Sequence, residues 1–367
     1  MRGRRFWTLA ALAWLLAPLA LGSPAAAEPP RSFYGVAPQD IPSAADIERM
    51  AKGKVGTVRF QIRWKAVDPT PFPGDYDWNE IDPVVASAAR NGIRAFPFVF
   101  STPPWVATGI DSYACEPACD NYPPRSDAAL AQWELFLSAL ARRYGPGGEF
   151  WAEHPGIPAH PIRAWQIWNE QNNFDFYRPH PSVSAYTRLL GAAARGIRDR
   201  DPSARIVLGG MYEPGQENEE NRTVSALGFL RELYENRARK LFDVVAAHPY
   251  AAKLKGVRAQ LNGFRDVMRD GGDARGRLWI TELGWSSARG ERPLHVGPDL
   301  QATRLRRLLG MITERRRDLA IGRFVWFAWR DSRVSVCEWC RRAGLFSEHG
   351  LRPKPVWRAF TDFTGGR

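Results

Sequence analysis

Two glutamates stand where apolar segments end. Trp165, Gln166, Ile167 and Trp168 run into Asn169 and Glu170, and Leu278, Trp279, Ile280 and Thr281 run into Glu282. Each run puts a carboxylate beside tryptophan at the end of a strand-like stretch. Two carboxyl groups brought face to face can perform glycoside hydrolysis, one protonating the leaving oxygen while the other attacks the sugar or activates water. Indole faces near such a mouth can stack on the C–H surfaces of sugar rings, and Trp64, Trp105 and Trp329 are the candidates among the 15 tryptophans. Strand-end salt bridges are the competing account of the two glutamates, and filling of the rim or core of the fold that of the tryptophans. Other chemistries find less support. There is no GxSxG elbow, Gly209 and Gly210 follow a strand without a nucleotide-binding fingerprint, and Asp68, Asp75, Asp82 and Asp111 lack metal-ligand spacing. No metal and no other cofactor is expected.

Carboxylates this far apart in the chain need a scaffold that converges strand ends. Eight short apolar runs begin near Phe33, Thr57, Ala95, Arg163, Arg205, Phe242, Arg277 and Arg323, with stretches of helical periodicity between them. This βα alternation predicts a parallel sheet covered by helices, and eight units without a halfway linker predict one closed (β/α)8 TIM barrel. Strand carboxyl ends in that fold point into the active-site mouth, which is where both glutamates fall. Residues 102–127, after the third strand, and 145–161, before the fourth, read as long loop decorations. The 367 residues would allow two domains, but a composition 44% hydrophobic and 25% charged, with this single pattern, fits one.

The segments WQIWNEQN (165–172) and ITELGW (280–285) resemble the signatures of clan A glycoside hydrolases, and the resemblance covers nearly all of the chain after residue 27. It implies a retaining (β/α)8 enzyme with Glu170 as general acid/base and Glu282 as nucleophile. It further implies that Asn169 binds the sugar 2-hydroxyl, that Arg59 helps hold the nucleophile ionised, and that His248 and Tyr250 lie close to it. Trp329 resembles the tryptophan platform beneath the sugar. Within the clan the chain is most similar to family 39 and to bacterial exopolysaccharide glycosidases of the PslG type, although Gln171 stands where many relatives have proline. The substrate implied is a polysaccharide or oligosaccharide cleaved internally at beta-glycosidic bonds. An exo-acting beta-glycosidase such as a beta-xylosidase, and a carbohydrate-binding barrel without turnover, are the alternatives.

The first 27 residues differ in composition from the rest. Arg2, Arg4 and Arg5 precede an apolar run over 6–21, followed by Ser23, Pro24 and three alanines. This order predicts a secretory signal peptide cleaved after Ala27, leaving 28–367 as a single catalytic domain without stable membrane insertion, in the extracellular space or periplasm. In an oxidising compartment, Cys115 with Cys119 and Cys337 with Cys340 are close enough in sequence to form two local disulfides; a four-thiolate zinc site is the alternative. The formal charge of +12 is distributed in short clusters separated by acidic residues, as on solvated helix faces, so no nucleic-acid partner is expected. Asn221 begins an N-glycosylation sequon. A monomer is expected.

Overall fold

The computed structural model describes residues 28–72, 74–214, 223–335, 337–348 and 351–367. The predicted signal peptide and the Asn221 sequon lie outside them. Strands β1 (Tyr34–Ala37), β2 (Thr57–Arg63), β3 (Arg94–Phe100), β4 (Ala164–Ile167) and β5 (Arg205–Leu208) pair in parallel in chain order. The short β6 (Met211–Tyr212) prolongs β5 past Gly209 and Gly210, and β7 (Val244–His248), β8 (Arg277–Leu283) and β9 (Ile321–Phe327) continue the sheet. Val36 pairs with Trp326, so the first strand joins the last and the sheet closes into the eight-stranded barrel that the sequence predicts.

Among the described residues, eight main helices surround it: α1 (Ala44–Lys52), α2 (Asp82–Arg90), α3 (Asp127–Tyr144), α4 (Val183–Arg200), α5 (Ala226–Glu235), α6 (Leu254–Asp270), α7 (Pro298–Glu314) and α8 (Pro355–Thr364). Helices α1, α3, α4 and α5 start at a serine whose hydroxyl accepts a backbone N–H of the first turn. Such a cap contributes about 1 kcal/mol and fixes where the chain leaves the loop. Among the described residues no helix is long and apolar enough to cross a membrane.

Side chains alternate along a strand, and this alternation builds the barrel interior in layers. Phe96, Val207, Val244, Ala246 and Trp279 form a small core of their own, with Ala164 against it, separate from the large core between sheet and helices. They are the lower layer. One step further toward the strand carboxyl ends lie Arg59, Phe98 and Gln166, joined by a 2.7 Å hydrogen bond from Arg59 Nε to Gln166 Oε1 and by the guanidinium 4.0 Å from the Phe98 ring centroid. Residues 102–127 rise from the end of β3 on this upper side, whereas 145–161 follow α3 and lead into the start of β4. The second long connection therefore lies at the opposite end of the barrel from the carboxylates.

Both cysteine pairs are bonded, Cys115 to Cys119 and Cys337 to Cys340. The alternative of one four-thiolate zinc site is thereby removed.

Candidate active site

Two breaks in strand regularity aim the glutamates. Beyond β4 the chain turns sharply, with Trp168 at φ 69° and Glu170 at φ 43°, a left-handed conformation that costs about 1–3 kcal/mol for each non-glycine residue. Packing and hydrogen bonds hold it there: Trp168 is fully buried and donates its indole N–H to Phe176 O at 2.7 Å, and Glu170 N donates to Gly210 O at 3.2 Å. In β8 the pairing with β9 is irregular between Ile280 and Leu283. That irregularity lets neighbours Thr281 and Glu282 both face inward, where strict alternation would send one of them to the helices.

Glu282 receives two donors, Arg59 Nη1 at 2.6 Å on Oε1 and the Tyr250 hydroxyl at 2.9 Å on Oε2. Burial alone would raise its pKa, but His248, Arg59 and the Tyr250 hydroxyl outweigh it and hold the carboxyl below its usual value. Glu282 is therefore kept ionised. Tyr250 is pushed well above the usual phenol range by burial and by the carboxylates Glu282 and Glu170, which keeps its proton available for donation. Arg59 is held by three acceptors, Glu282, Gln166 and Asn169, the last through a 2.8 Å bond from Nη2 to Oδ1.

Glu170 sits among different partners. Its Oε2 accepts from Asn173 Nδ2 at 3.0 Å, and its Oε1 lies 2.9 Å from His248 Nδ1. That nitrogen also lies 3.7 Å from Glu282 Oε2, so the proton belongs on Nδ1, facing both carboxylates. Ligand atoms of Glu170, His248 and Glu282 all lie within 4.8 Å of one another. A cation could be held by these three, yet Arg59 already supplies the positive charge against Glu282, and the arrangement suits proton transfer and nucleophilic attack. The carboxylates are close enough for the double-displacement class, with its separation of about 5–5.5 Å, and too close for a water-inserting inverting pair.

The glycine pair at the end of β5 is explained by this site. A Cβ on Gly210 would fall 1.9 Å from His248 Nε2, and one on Gly209 the same distance from Gln171 Oε1. Gly210→Ala should push the His248 ring off the carboxylates, and we expect it to lower kcat by roughly 10- to 100-fold with the fold retained. Steady-state kinetics beside circular dichroism check this; unchanged kcat would mean that His248 tolerates displacement.

Solved structures give the fold a wider setting. No protein-family model matches the chain, and no curated protein does. The chain is similar to a family 39 glycoside hydrolase from the gut symbiont Bacteroides cellulosilyticus WH2, at 16% identity over 91% of this chain with a TM-score of 0.64. It spans 63% of that protein's length. It is also similar to a glucosidase from Croceicoccus marinus, at 14% identity over 93% of this chain and 69% of that one with a TM-score of 0.67. Xylanase B from Clostridium stercorarium F9 matches at 17% identity over 90% of this chain and 96% of the other, with a TM-score of 0.56. The likeness is one of fold.

Of the residues singled out in the sequence, Glu170, Glu282, Arg59, Asn169, His248 and Tyr250 converge in one hydrogen-bonded cluster. Two of the tryptophans do not join it. Trp329 is fully buried, gives its indole N–H to Asp46 Oδ1 at 2.8 Å and packs on Phe346 and Trp357, so no face remains for a sugar. Trp64 is equally buried, stacked on Phe136 with its N–H on Asp68. Trp105 is partly exposed, bonded to Asp68 O at the rim. Asn172 and Asp331, polar residues just beyond β4 and β9, do not join it either: they are taken up by structural bonds, to Tyr212 and Val224 carbonyls and to Lys354.

Other residues do reach the site. Gln166 and Asn173 position Arg59 and Glu170. Strand β9 ends at Phe327, whose ring lies 5.8 Å from that of Trp339, and Trp339 lies 4.8 Å from Tyr250. Trp339 sits inside the Cys337–Cys340 loop, so the disulfide braces an aromatic ring against the residue that bonds Glu282. The apolar residue ending the last strand was the available signal for Phe327; nothing in the sequence marks Trp339 beyond the cysteines flanking it.

Proposed function

We propose that the chain is a retaining glycoside hydrolase that cleaves beta-glycosidic bonds within a polysaccharide or oligosaccharide. The observation that carries this is the asymmetry of a close carboxylate pair: Glu282 is held ionised by Arg59 and Tyr250, while Glu170 faces His248 and Asn173. Glu282 attacks the anomeric carbon as Glu170 gives its proton to the leaving oxygen. Glu170 then takes a proton from water, which opens the glycosyl ester and restores the starting configuration. Asn169, oriented by Arg59, is placed to bond a sugar hydroxyl beside the reacting carbon.

Partly exposed aromatic rings favour internal cleavage. Phe98 and Phe100 on β3, and Phe327 and Trp339 at and beyond the end of β9, stand three strands apart around the mouth, as a groove crossing the barrel requires. The family 39 resemblance and the similar glycosidase structures support the same chemistry. A polysaccharide panel with product mass and anomer analysis tests it: retained configuration with mixed oligosaccharide sizes is expected, inversion would overturn the mechanism, and release of monosaccharide alone would assign exo action. We also place the chain outside the cytoplasm, on the basic, apolar and small-residue order of 1–27 and the two closed disulfides. An exported product still beginning at Met1 would contradict signal cleavage.

A further inference from the structure

At the end of the barrel opposite the carboxylates, the inner face terminates in arginines. Inward alternation along β3 runs Arg94, Phe96, Phe98; along β5 Arg205, Val207; along β8 Arg277, Trp279; and along β9 Arg323, Val325. Arg323 marks the level: its guanidinium lies 4.1 Å from the Trp279 ring centroid and 5.1 Å from that of Phe96, directly against the lower core layer. It is 8% exposed, and its Nε is buried without a hydrogen-bond partner. Arg205 and Arg277 also line a cavity of about 440 Å³ together with Arg198, Arg239, Arg275 and Asp243.

The charge in this region is of nearly one sign. Asp243 is engaged by Arg198 at 2.9 Å and by Ile206 N at 2.8 Å, and Arg239 is paired with Asp273 at 2.8 Å. Among the described residues, Arg94, Arg205, Arg275, Arg277 and Arg323 have no ion pair and no hydrogen-bonded side-chain partner. They also feel one another. Burial, with Arg94 and Arg205 adding to it, pushes Arg323 down to about 9, and burial, Arg277 and Arg94 lower Arg205. A purely structural barrel floor would gain from alternating signs or from apolar plugs. A one-signed ring of planar donors opening on a cavity is stabilised by whatever anion neutralises it, and guanidinium forks match tetrahedral oxyanions in bidentate fashion.

We propose that the amino-terminal end of the barrel is an oxyanion site that takes a phosphate or sulfate group, as the free ion or as the ionised substituent of a polyanionic chain. The site is independent of the glycosidase reading, because no residue is shared. Arg205, Arg277 and Arg275 supply the forks, and Arg323 supplies positive charge from beneath. The consequence is a second point of attachment, on the face away from cleavage.

Thermal unfolding of the full chain tests this with inorganic phosphate and sulfate against chloride at matched ionic strength. A saturable rise of at least about 2 °C with the oxyanions, and none with chloride, is expected. The double variant Arg205→Gln, Arg277→Gln should lose that rise and melt above the wild type in chloride, since repulsion is relieved. If that variant fails to fold, Arg275→Gln, which alters only an exposed side chain, should raise the half-saturating phosphate concentration several-fold. Equal responses to phosphate and chloride, or a phosphate response surviving in the variants, would overturn the proposal. Long-chain polyphosphate separates the sources: competition with inorganic phosphate assigns the polymer, and stabilisation by the free ion alone assigns the ion.

Discussion

Glu282→Ala should lose at least roughly 10⁴-fold in kcat and recover turnover of an activated aryl glycoside when azide is added. The vacancy lies where the nucleophile stood, so azide attacks the anomeric carbon from that face, a C–N bond replaces the bond to the departing aryl oxygen, and the glycosyl azide has inverted configuration. Glu170→Ala should behave differently. An activated leaving group needs no proton, so the glycosyl ester to Glu282 still forms, and azide opens it to a glycosyl azide of retained configuration. Both variants should fold, because Arg59 keeps Gln166 and Asn169 as acceptors in the first and the Asn173 amide can turn to solvent in the second. Product configuration by nuclear magnetic resonance distinguishes the two roles. Azide products of the same configuration from both variants would refute the assignment, as would wild-type turnover in either.

The second large effect is expected at Arg59. Arg59→Met leaves Gln166 Oε1 and Asn169 Oδ1 without their donor and Glu282 without its cation, with only the Tyr250 hydroxyl still donating to it, and breaking such a buried network costs about 3–5 kcal/mol of stability. The effect on catalysis has a definite sign. Glu282 is held below its usual pKa, so it stays ionised as pH falls until that lowered value is reached, while the stability its ion pair contributes is complete above the usual carboxylate value and is lost between the two. Without the 2.6 Å cation, burial dominates, the carboxyl takes up a proton at higher pH, and the acid limb of the kcat/KM profile moves upward. A fall of about 100-fold or more in kcat/KM at neutral pH should accompany the shift. An acid limb that stays in place would show that His248 and Tyr250 alone keep Glu282 ionised.

Much of the barrel and the carboxylate pair was legible because both depend on local order. A strand buried on both faces must be a short apolar run, and a polar residue closing such a run must face the mouth, so Glu170 and Glu282 announced themselves. Residue type alone misled at Trp64 and Trp329. A tryptophan offers a stacking surface only if one face stays uncovered, and at these positions Phe136, Phe346 and Trp357 cover it. Gln166 was passed over because a polar residue inside a strand takes its meaning from what lies opposite, here Arg59 two strands away with β3 between them. The arginine ring escaped for a related reason. Each member belongs to a different strand, so a charge that looks scattered in sequence is gathered only by barrel closure.

That closure also orders events in time. Residues 34–37 complete their pairing only with residues 321–327, so nearly the whole chain must be synthesised before the barrel can exist. Contacts of such long sequence separation form late and slowly, leaving a nascent chain open in the meantime. The two disulfides span four and three residues and do not depend on that final pairing. On the export route proposed above, such a chain stays threadable while it crosses the membrane, and the Cys115–Cys119 loop can close on the far side before the last strand arrives, whereas Cys337 and Cys340 follow that strand.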